Sequence, residues 1–323
     1  MERIAVMTSG GDAPGMNACI RAVVRSAIYY GFKVFGVRRG YAGLIGGEII
    51  PMELRSVSGI INLGGTILKT ARCEEFRTKE GREKAIKVIK DNNIEGLVVI
   101  GGDGSFTAAG QLYEQYKIPI VGIPVTIDND VCGTDYTVGF DTAINTALEA
   151  IDKIRDTAFS HERIFIIEVM GRKRGFLALE VGLASGSEIV LLPEVKYDLD
   201  VICESILHNR EKGKTSYIII MAEGAGNSFA IADQIKKCTG FEVKVSIIGY
   251  IQRGGSPTAR SRKIASLFGI HAVQVLKDMQ ESSNPKIVGI REEKIIDYDL
   301  EYMLKNEKKI DKELYELAQI LAI

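Results

Sequence analysis

Short apolar runs alternate with stretches of helical periodicity along almost the whole chain, and this alternation restricts the fold more than any other feature. "RIAVMTS" near the N-terminus reads as a strand. From Met16, apolar positions recur at 16, 20, 23, 24 and 27, one face of a helix that stops at Gly31. "FKVFGV" is the next strand; Ala85, Ile86 and Ile89 mark a helix, "GLVVIGG" a strand, "FTAAGQLYEQY" a helix and "IPIVGIP" a strand. Phe140, Ile144, Ala147, Leu148, Ile151 and Ile154 form another helical stripe. The strands "RIFIIEV", "EIVLLP", "SYIIIMAE" and "VKVSIIG" follow, with helices between them. Ser256-Pro257 reads as an N-cap followed by proline at the first position of one more helix. Buried strands separated by helices predict an α/β fold, a largely parallel sheet sandwiched by helices. The 323 residues suffice for two medium domains or one large one. The loop after Asp130, "VCGTDYT", is the expected boundary between two sheets.

The charge balance excludes some partners. The net charge of −1 gives no bulk attraction to nucleic acid or to a membrane surface. No apolar run approaches the ~18 residues of a membrane span, and the chain enters a strand at once, without the pattern of a signal peptide. The five cysteines, Cys19, Cys73, Cys132, Cys203 and Cys238, are scattered and form no CxxC pair. That distribution predicts a reduced, cytoplasmic protein without a structural zinc. His161, His208 and His271 lie far apart, which argues against a histidine-centred metal site or triad.

In open α/β sheets ligands bind beyond the carboxyl ends of the strands. Three turns stand at such ends: "TSGGDAPG" (Thr8–Gly15), "GGDGS" (Gly101–Ser105) and "PVTIDND" (Pro124–Asp130). The first two lead into helices. There a glycine-rich turn lets backbone N–H groups approach an anion, and the helix start adds about half a positive charge. Glycines also serve simply to make tight turns, but two Gly-Gly-Asp turns in the same context favour a phosphate cradle. The pattern GxxxxGK[ST] is absent, and "GDGSFT" lacks the third glycine of a dinucleotide fingerprint. Asp103 would repel phosphate unless Mg²⁺ lies between them; its other reading is a helix N-cap. Asp128 and Asp130 have no Lys, Arg or His for several residues on either side. Phosphoryl transfer needs one carboxylate to take the acceptor's proton and cations to hold the moving group. Two residues apart in an extended loop, the pair would point to opposite sides and divide these tasks. An Asx-turn pair shaping the loop is the alternative. Arg72, Arg155, Arg163, Arg172 and Arg253 are the candidate phosphate clamps, against a solvated-face reading for any one of them. Arg21 and Arg25, four apart on one helix, are either a surface pair or a second anion site.

At this point "TSGGDAPGMNA", "VVIGGDGS", "TIDND", "GTDYTVGFDTA", "RDTAFSHER", "EVMGR" and "QRGGSP" occur in one order and spacing. On these motifs, across roughly residues 3–291, the chain resembles the bacterial ATP-dependent 6-phosphofructokinases. The resemblance implies two similar domains with the active site between them: a nucleotide-binding domain of residues 1–138 plus 251–301, and a sugar-phosphate-binding domain of 139–250 plus 302–323. It implies ATP at Gly11, Arg72, Cys73, Gly102, Asp103, Gly104 and Ser105, with Mg²⁺ at Asp103. Asp128 would deprotonate the 1-hydroxyl of fructose 6-phosphate, and Gly11, Arg72, Thr126 and Arg172 would share the catalytic work. Thr126, Ile127, Asp128, Met170, Gly171, Arg172, Glu223, Tyr250 and Arg253 match sugar-phosphate contacts. Arg163 and Lys244 match positions that reach that phosphate from a neighbouring subunit, implying a homotetramer. Arg21, Arg25, Arg155, Gly186, Glu188, Lys212 and Lys214 match an allosteric site for ADP or phosphoenolpyruvate.

The chain departs from the family pattern in places. Lys244 stands for a usual Arg, a point charge in place of a bidentate clamp, and Tyr250 for a usual His; both bear on sugar affinity and not on the chemistry. Leu54 and Gly59 replace an Arg and an Asp of the effector region, Phe176 and Ser261 each replace an Asp, and Val125 replaces a Gly. Pyrophosphate-using relatives typically carry Asp at position 104 and Lys at 125. Gly104 leaves the space of the α-phosphate open and Val125 supplies no charge, which favours ATP. A kinase for another sugar phosphate, a pyrophosphate-dependent enzyme and a non-catalytic sensor are the alternatives.

Overall fold

The computed structural model of the chain describes residues 1–280 and 283–321. They divide into two compact units, Met1–Thr142 with Arg253–Lys308, and Ala143–Gln252 with the segment from Lys309 onward. In chain order the first unit holds β1 (Arg3–Thr8), α1 (Met16–Tyr29), β2 (Lys33–Val37), α2 (Gly40–Gly46), β3 (Ile49–Met52), α3 (Lys79–Asp91), β4 (Gly96–Gly101), α4 (Asp103–Gln115), β5 (Ile120–Thr126) and β6 (Val138–Gly139). Helix α5 (Phe140–Ser160) carries the chain into the second unit. There follow β7 (Ile164–Val169), α6 (Phe176–Ser185), β8 (Ile189–Leu191), α7 (Leu199–Glu211), β9 (Tyr217–Ala222), α8 (Ser228–Thr239) and β10 (Val243–Ile247). The first unit resumes with α9 (Ala259–Asp278), β11 (Lys286–Arg291), β12 (Lys294–Asp299) and α10 (Leu300–Lys305), and α11 (Lys312–Leu321) returns to the second.

The sheet of the first unit runs β12-β11-β5-β4-β1-β2-β3, with β6 also paired to β5. It is parallel except at its rims, where β3 and β12 are antiparallel to their neighbours. Strands β1, β4 and β5 are almost wholly buried because helices cover both faces. On α1 the stripe read from the sequence, Met16, Ile20, Val23, Val24 and Ala27, is the buried face. Rim strand β12 carries the exposed Lys294, Asp297 and Asp299, a polar edge that discourages pairing with another sheet. The N-cap of α9 differs from the sequence expectation. Thr258, not Ser256, caps the helix by accepting from Ser261 N at 3.2 Å. The Ser256 hydroxyl instead donates to the carbonyl oxygen of Asn62 at 2.8 Å, so Pro257 lies ahead of the helix.

The sheet of the second unit runs β10-β7-β9-β8, parallel throughout. Its core gathers Ile164, Ile166, Leu191, Ile206, Tyr217, Ile219, Met221 and Ile235. One cysteine expectation is corrected here. Cys203 on α7 and Cys238 on α8 form a disulfide, because the two helices pack side by side and bring residues 35 apart in sequence together. No described helix is long and apolar enough to cross a membrane.

Candidate active site

The three turns singled out in the sequence follow β1, β4 and β5, which are immediate neighbours in one sheet. Parallel strands with a common direction must release their turns along one edge. The contacts between the turns are close. Ser9 N donates to Ile100 O at 2.9 Å, extending the β1–β4 ladder into the turns. A Cβ added to Gly101 would lie 2.6 Å from Ser9 O and 2.5 Å from Ser105 Oγ, so only glycine permits this approach. A Cβ on Gly102 would lie 3.5 Å from the Thr126 side chain, which joins the third turn to the second. Thr70 Oγ1 donates to Gly10 O at 2.7 Å and brings the segment of Arg72 and Cys73 to the same edge. Arg72 is exposed and Cys73 half-buried.

The second turn starts α4 with Gly102 as N-cap and Asp103 as the first helical residue, so the alternative reading of Asp103 as the cap is not realised. Asp103 and Gly104 are exposed, and nothing lies within 4 Å of a Cβ built on Gly104. The Ser105 hydroxyl is buried without a hydrogen-bond partner, an orphan that a ligand would satisfy. Tyr41, packed on Phe76, donates from its hydroxyl to Ser105 O at 2.7 Å and fixes the first turn of α4 from below. Burial pushes the Tyr41 phenol well above its ordinary range, which keeps it a donor. Among the described residues no three of His, Cys, Asp and Glu gather to hold a metal. A divalent cation at Asp103 would therefore take its other ligands from phosphate oxygens and water, as such ions commonly do beside phosphates. The open space at Gly104, the orphaned hydroxyl and the helix N-terminus fit such a metal–phosphate group.

The third turn is not the extended loop that its sequence suggested. Asn129 lies in the left-handed region at φ 51°, so the simple alternation of Asp128 and Asp130 does not hold. Ile127, Asp128 and Asn129 are buried and Asp130 is half-buried. Asp128 N donates to Thr126 Oγ1 at 3.2 Å. Arg253 belongs to this unit. Its guanidinium forms an ion pair with Asp12 and donates from Nε to Asp12 O at 3.3 Å.

In the second unit, Met170, Gly171 and Arg172 follow the carboxyl end of β7, and Glu223 follows that of the adjacent β9. Glu223 accepts from the Arg172 main-chain N–H. A Cβ on Gly224 would sit 2.2 Å from Arg172 O, a measure of how tightly the two turns meet. Gln252, fully buried, accepts from Met170 N at 2.9 Å. Tyr250 is exposed. Arg163 lies away from the carboxyl ends of the strands, where ligands bind in such sheets. It precedes β7, because α5 runs on to Ser160, and therefore lies at the amino end of that strand. There Glu242 binds both Arg163, at 2.5 Å, and Lys244, at 2.6 Å. Lys244 first and Arg163 second hold the Glu242 carboxyl below its usual range.

The positions assigned to an effector divide between the units. Arg21 and Arg25 lie on α1 of the first, the former half-buried and the latter exposed. In the second, Arg155 on α5 donates to Ser185 O at 2.7 Å beside Gly186, the left-handed C-cap of α6. Glu188 accepts from Ile218 N at 2.7 Å and pairs with Lys214 at 3.2 Å, and Lys212 caps the end of α7. Asp12, Tyr41, Asn129 and Gln252 were absent from the sequence reading. Asp12 and Asn129 stood inside the quoted motifs, and Asn is the residue besides glycine that most readily takes a left-handed backbone. Gln252 likewise opens the quoted "QRGGSP", whereas Tyr41 left no local signal.

Comparison with known proteins shows the family. The family described as Phosphofructokinase matches residues 3–276. An ATP-dependent 6-phosphofructokinase of Clostridium botulinum strain Hall is 53% identical over 322 residues, covering 100% of both chains. One of Halothermothrix orenii is 52% identical over 335 residues with the same coverage. The structure of phosphofructokinase from Saccharomyces cerevisiae superimposes with a TM-score of 0.92 at 36% identity, covering 100% of this chain and 48% of that one. With the family pattern matched across most of its length and half of its residues shared end to end with curated members, the chain belongs to the phosphofructokinase family.

Proposed function

We propose that the chain is an ATP-dependent 6-phosphofructokinase, transferring the terminal phosphoryl group of ATP to the 1-hydroxyl of D-fructose 6-phosphate in glycolysis. One observation carries the reading: two amide-lined turns and the loop bearing Asp128 meet at the carboxyl ends of β1, β4 and β5. The curated relatives, 50–53% identical and named for this activity, support it.

The first unit is assigned the nucleotide. Amides of Gly11 and of Gly102 to Ser105, with Arg72 and Cys73 beside them, hold the triphosphate. Kinases of this family use a divalent cation; we assign Mg²⁺ to Asp103, where it would neutralise charge on the transferring group. Asp128 takes the proton of the 1-hydroxyl, and Thr126 and Arg172 steady the moving phosphoryl group. Ile127, Met170, Gly171, Glu223, Tyr250 and Arg253 are assigned to the sugar phosphate, Asp12 holding the Arg253 fork in place. Arg163 and Lys244, steered by Glu242, are assigned to the sugar phosphate of a neighbouring copy in a homotetramer. Arg21, Arg25, Arg155, Gly186, Glu188, Lys212 and Lys214 are assigned to ADP or phosphoenolpyruvate. The empty space around Gly104 favours a nucleotide over pyrophosphate, since a side chain there would occupy it.

A coupled assay across sugar phosphates, each with ATP or pyrophosphate and with or without Mg²⁺, tests the reading. The expected result is product only with fructose 6-phosphate, ATP and Mg²⁺ together. Turnover with pyrophosphate alone, or with another sugar phosphate at higher kcat/KM, would overturn it. Repeating the assay with ADP and phosphoenolpyruvate tests the effector assignment, and sedimentation the tetramer.

A further inference from the structure

Residues 127–137 leave the end of β5 and return as β6, which pairs parallel with that same end, Val125 opposite Val138 and Thr126 opposite Gly139. Parallel crossovers ordinarily take about a dozen or more residues, most often a helix that satisfies its own backbone. Here the connection is irregular, and side chains satisfy part of its backbone: Tyr298 Oη donates to Cys132 O at 2.9 Å, the Thr134 hydroxyl to Tyr136 O at 2.9 Å and Lys308 Nζ to Asp135 O at 2.9 Å, while Asn129 ties the start of the loop to its far end. Asn129 is only 5% exposed. Its Nδ2 donates to Asp135 O at 3.0 Å, and its Oδ1 accepts from Thr137 N at 3.0 Å. The Thr137 hydroxyl lies 3.3 Å from the same Oδ1 and donates to Thr126 O at 2.7 Å. The far end of the loop is thereby fastened to residues on both sides of Asp128. Its own backbone at φ 51° is a conformation that Asn adopts more readily than most residues.

We infer that Asn129 is the positioning residue of the catalytic loop, holding the Asp128 carboxylate in register with the reacting hydroxyl. The inference rests on the reading of Asp128 as the base. No other side chain serves all three requirements: Gly has the backbone freedom but no amide, Asp has the acceptor but no donor, and Ala has neither. Asn129 touches no reacting atom; it acts through Asp128. A misplacement of about 1 Å in such a group costs on the order of 10²-fold in rate.

The test compares the full-length wild type, Asn129→Gly, Asn129→Asp, Asp128→Ser and the Asn129→Gly/Asp128→Ser double variant, with Mg-ATP and fructose 6-phosphate. Asn129→Gly keeps the backbone conformation and removes every amide bond. The expected result is a kcat lowered by about 10²-fold, with KM for either substrate within about threefold, as for a group that acts only in the transition state. Asn129→Asp, which retains the acceptor facing Thr137, recovers part of that loss. In the Asp128→Ser background Asn129→Gly changes kcat by less than about twofold, because no base is left to misplace. Wild-type kcat in Asn129→Gly overturns the proposal, as does an equal fold loss in both backgrounds, the mark of an asparagine that only supports the fold. Should Asn129→Gly not fold, Asn129→Asp alone and with Asp128→Ser carries the same comparison under the same criteria. An Asp128→Ser enzyme as active as wild type removes the base reading, and the inference with it. That outcome is distinct from a slow Asp128→Ser beside a fully active Asn129→Gly, which removes the inference alone.

Discussion

Asp128 is buried at the end of a strand, and its amide is tied to Thr126 Oγ1. A base in that position contributes about 10²–10⁴-fold to turnover. Asp128→Ser is expected to lose that factor in kcat while the KM for fructose 6-phosphate changes little. Near-wild-type turnover, measured by coupled assay, would take Asp128 out of the base role. Individual residues show where a sequence reading stops. Asp128 was legible because two carboxylates stood together with no neighbouring cation in the chain. Its support by Asn129 was not, because that depends on Asp135 and Thr137 folding back over the loop. The Arg253–Asp12 pair joins residues 241 apart, a contact that no local pattern announces.

Among elements, the strand ends decide what the turns can do. Gly101 lets the turn after β4 approach the turn after β1, and an added Cβ there would meet Ser105 Oγ at 2.5 Å and Ser9 O at 2.6 Å. Gly101→Ala is therefore expected to push the two glycine-rich turns apart. Overpacking of this kind costs about 1–3 kcal/mol. The expected outcome is a lower urea midpoint together with a KM for ATP raised more than that for the sugar phosphate. An unchanged KM for ATP would detach the two turns from the nucleotide. The buried strands were readable because their apolar runs record burial directly. The rim strands β3 and β12 were not: β3 is only four residues long and interrupted by Pro51, and the charged residues of β12 look like a loop. The N-cap of α9 was misplaced by two residues, because Ser256 and Thr258 have the same capping chemistry and only the pull of Asn62 on Ser256 separates them.

For the whole molecule, every residue assigned to ATP belongs to one compact unit, Met1–Thr142 with Arg253–Lys308. Nucleotide is thus expected to bind and stabilise without sugar phosphate. A ligand at 100 times its Kd adds about 2.7 kcal/mol to stability, which for a chain or domain of this size raises Tm by roughly 5–10 °C. A non-hydrolysable ATP analogue with Mg²⁺ should give that shift in differential scanning fluorimetry, and EDTA should remove most of it. No shift at saturating analogue would contradict the assignment. The alternation of apolar runs and helical stripes determined the α/β class by itself, because burial on both faces of a strand leaves a mark on every residue. The motif turns located the candidate chemistry, because two Gly-Gly-Asp turns recur at strand ends ahead of helices. Only the tertiary structure decided which turns meet. Strand order sets β4 between β1 and β5, and that order depends on long-range pairing. Likewise the Cys203–Cys238 bond and the capture of Arg163 and Lys244 by Glu242 depend on distances that the chain acquires only when its helices and strands pack.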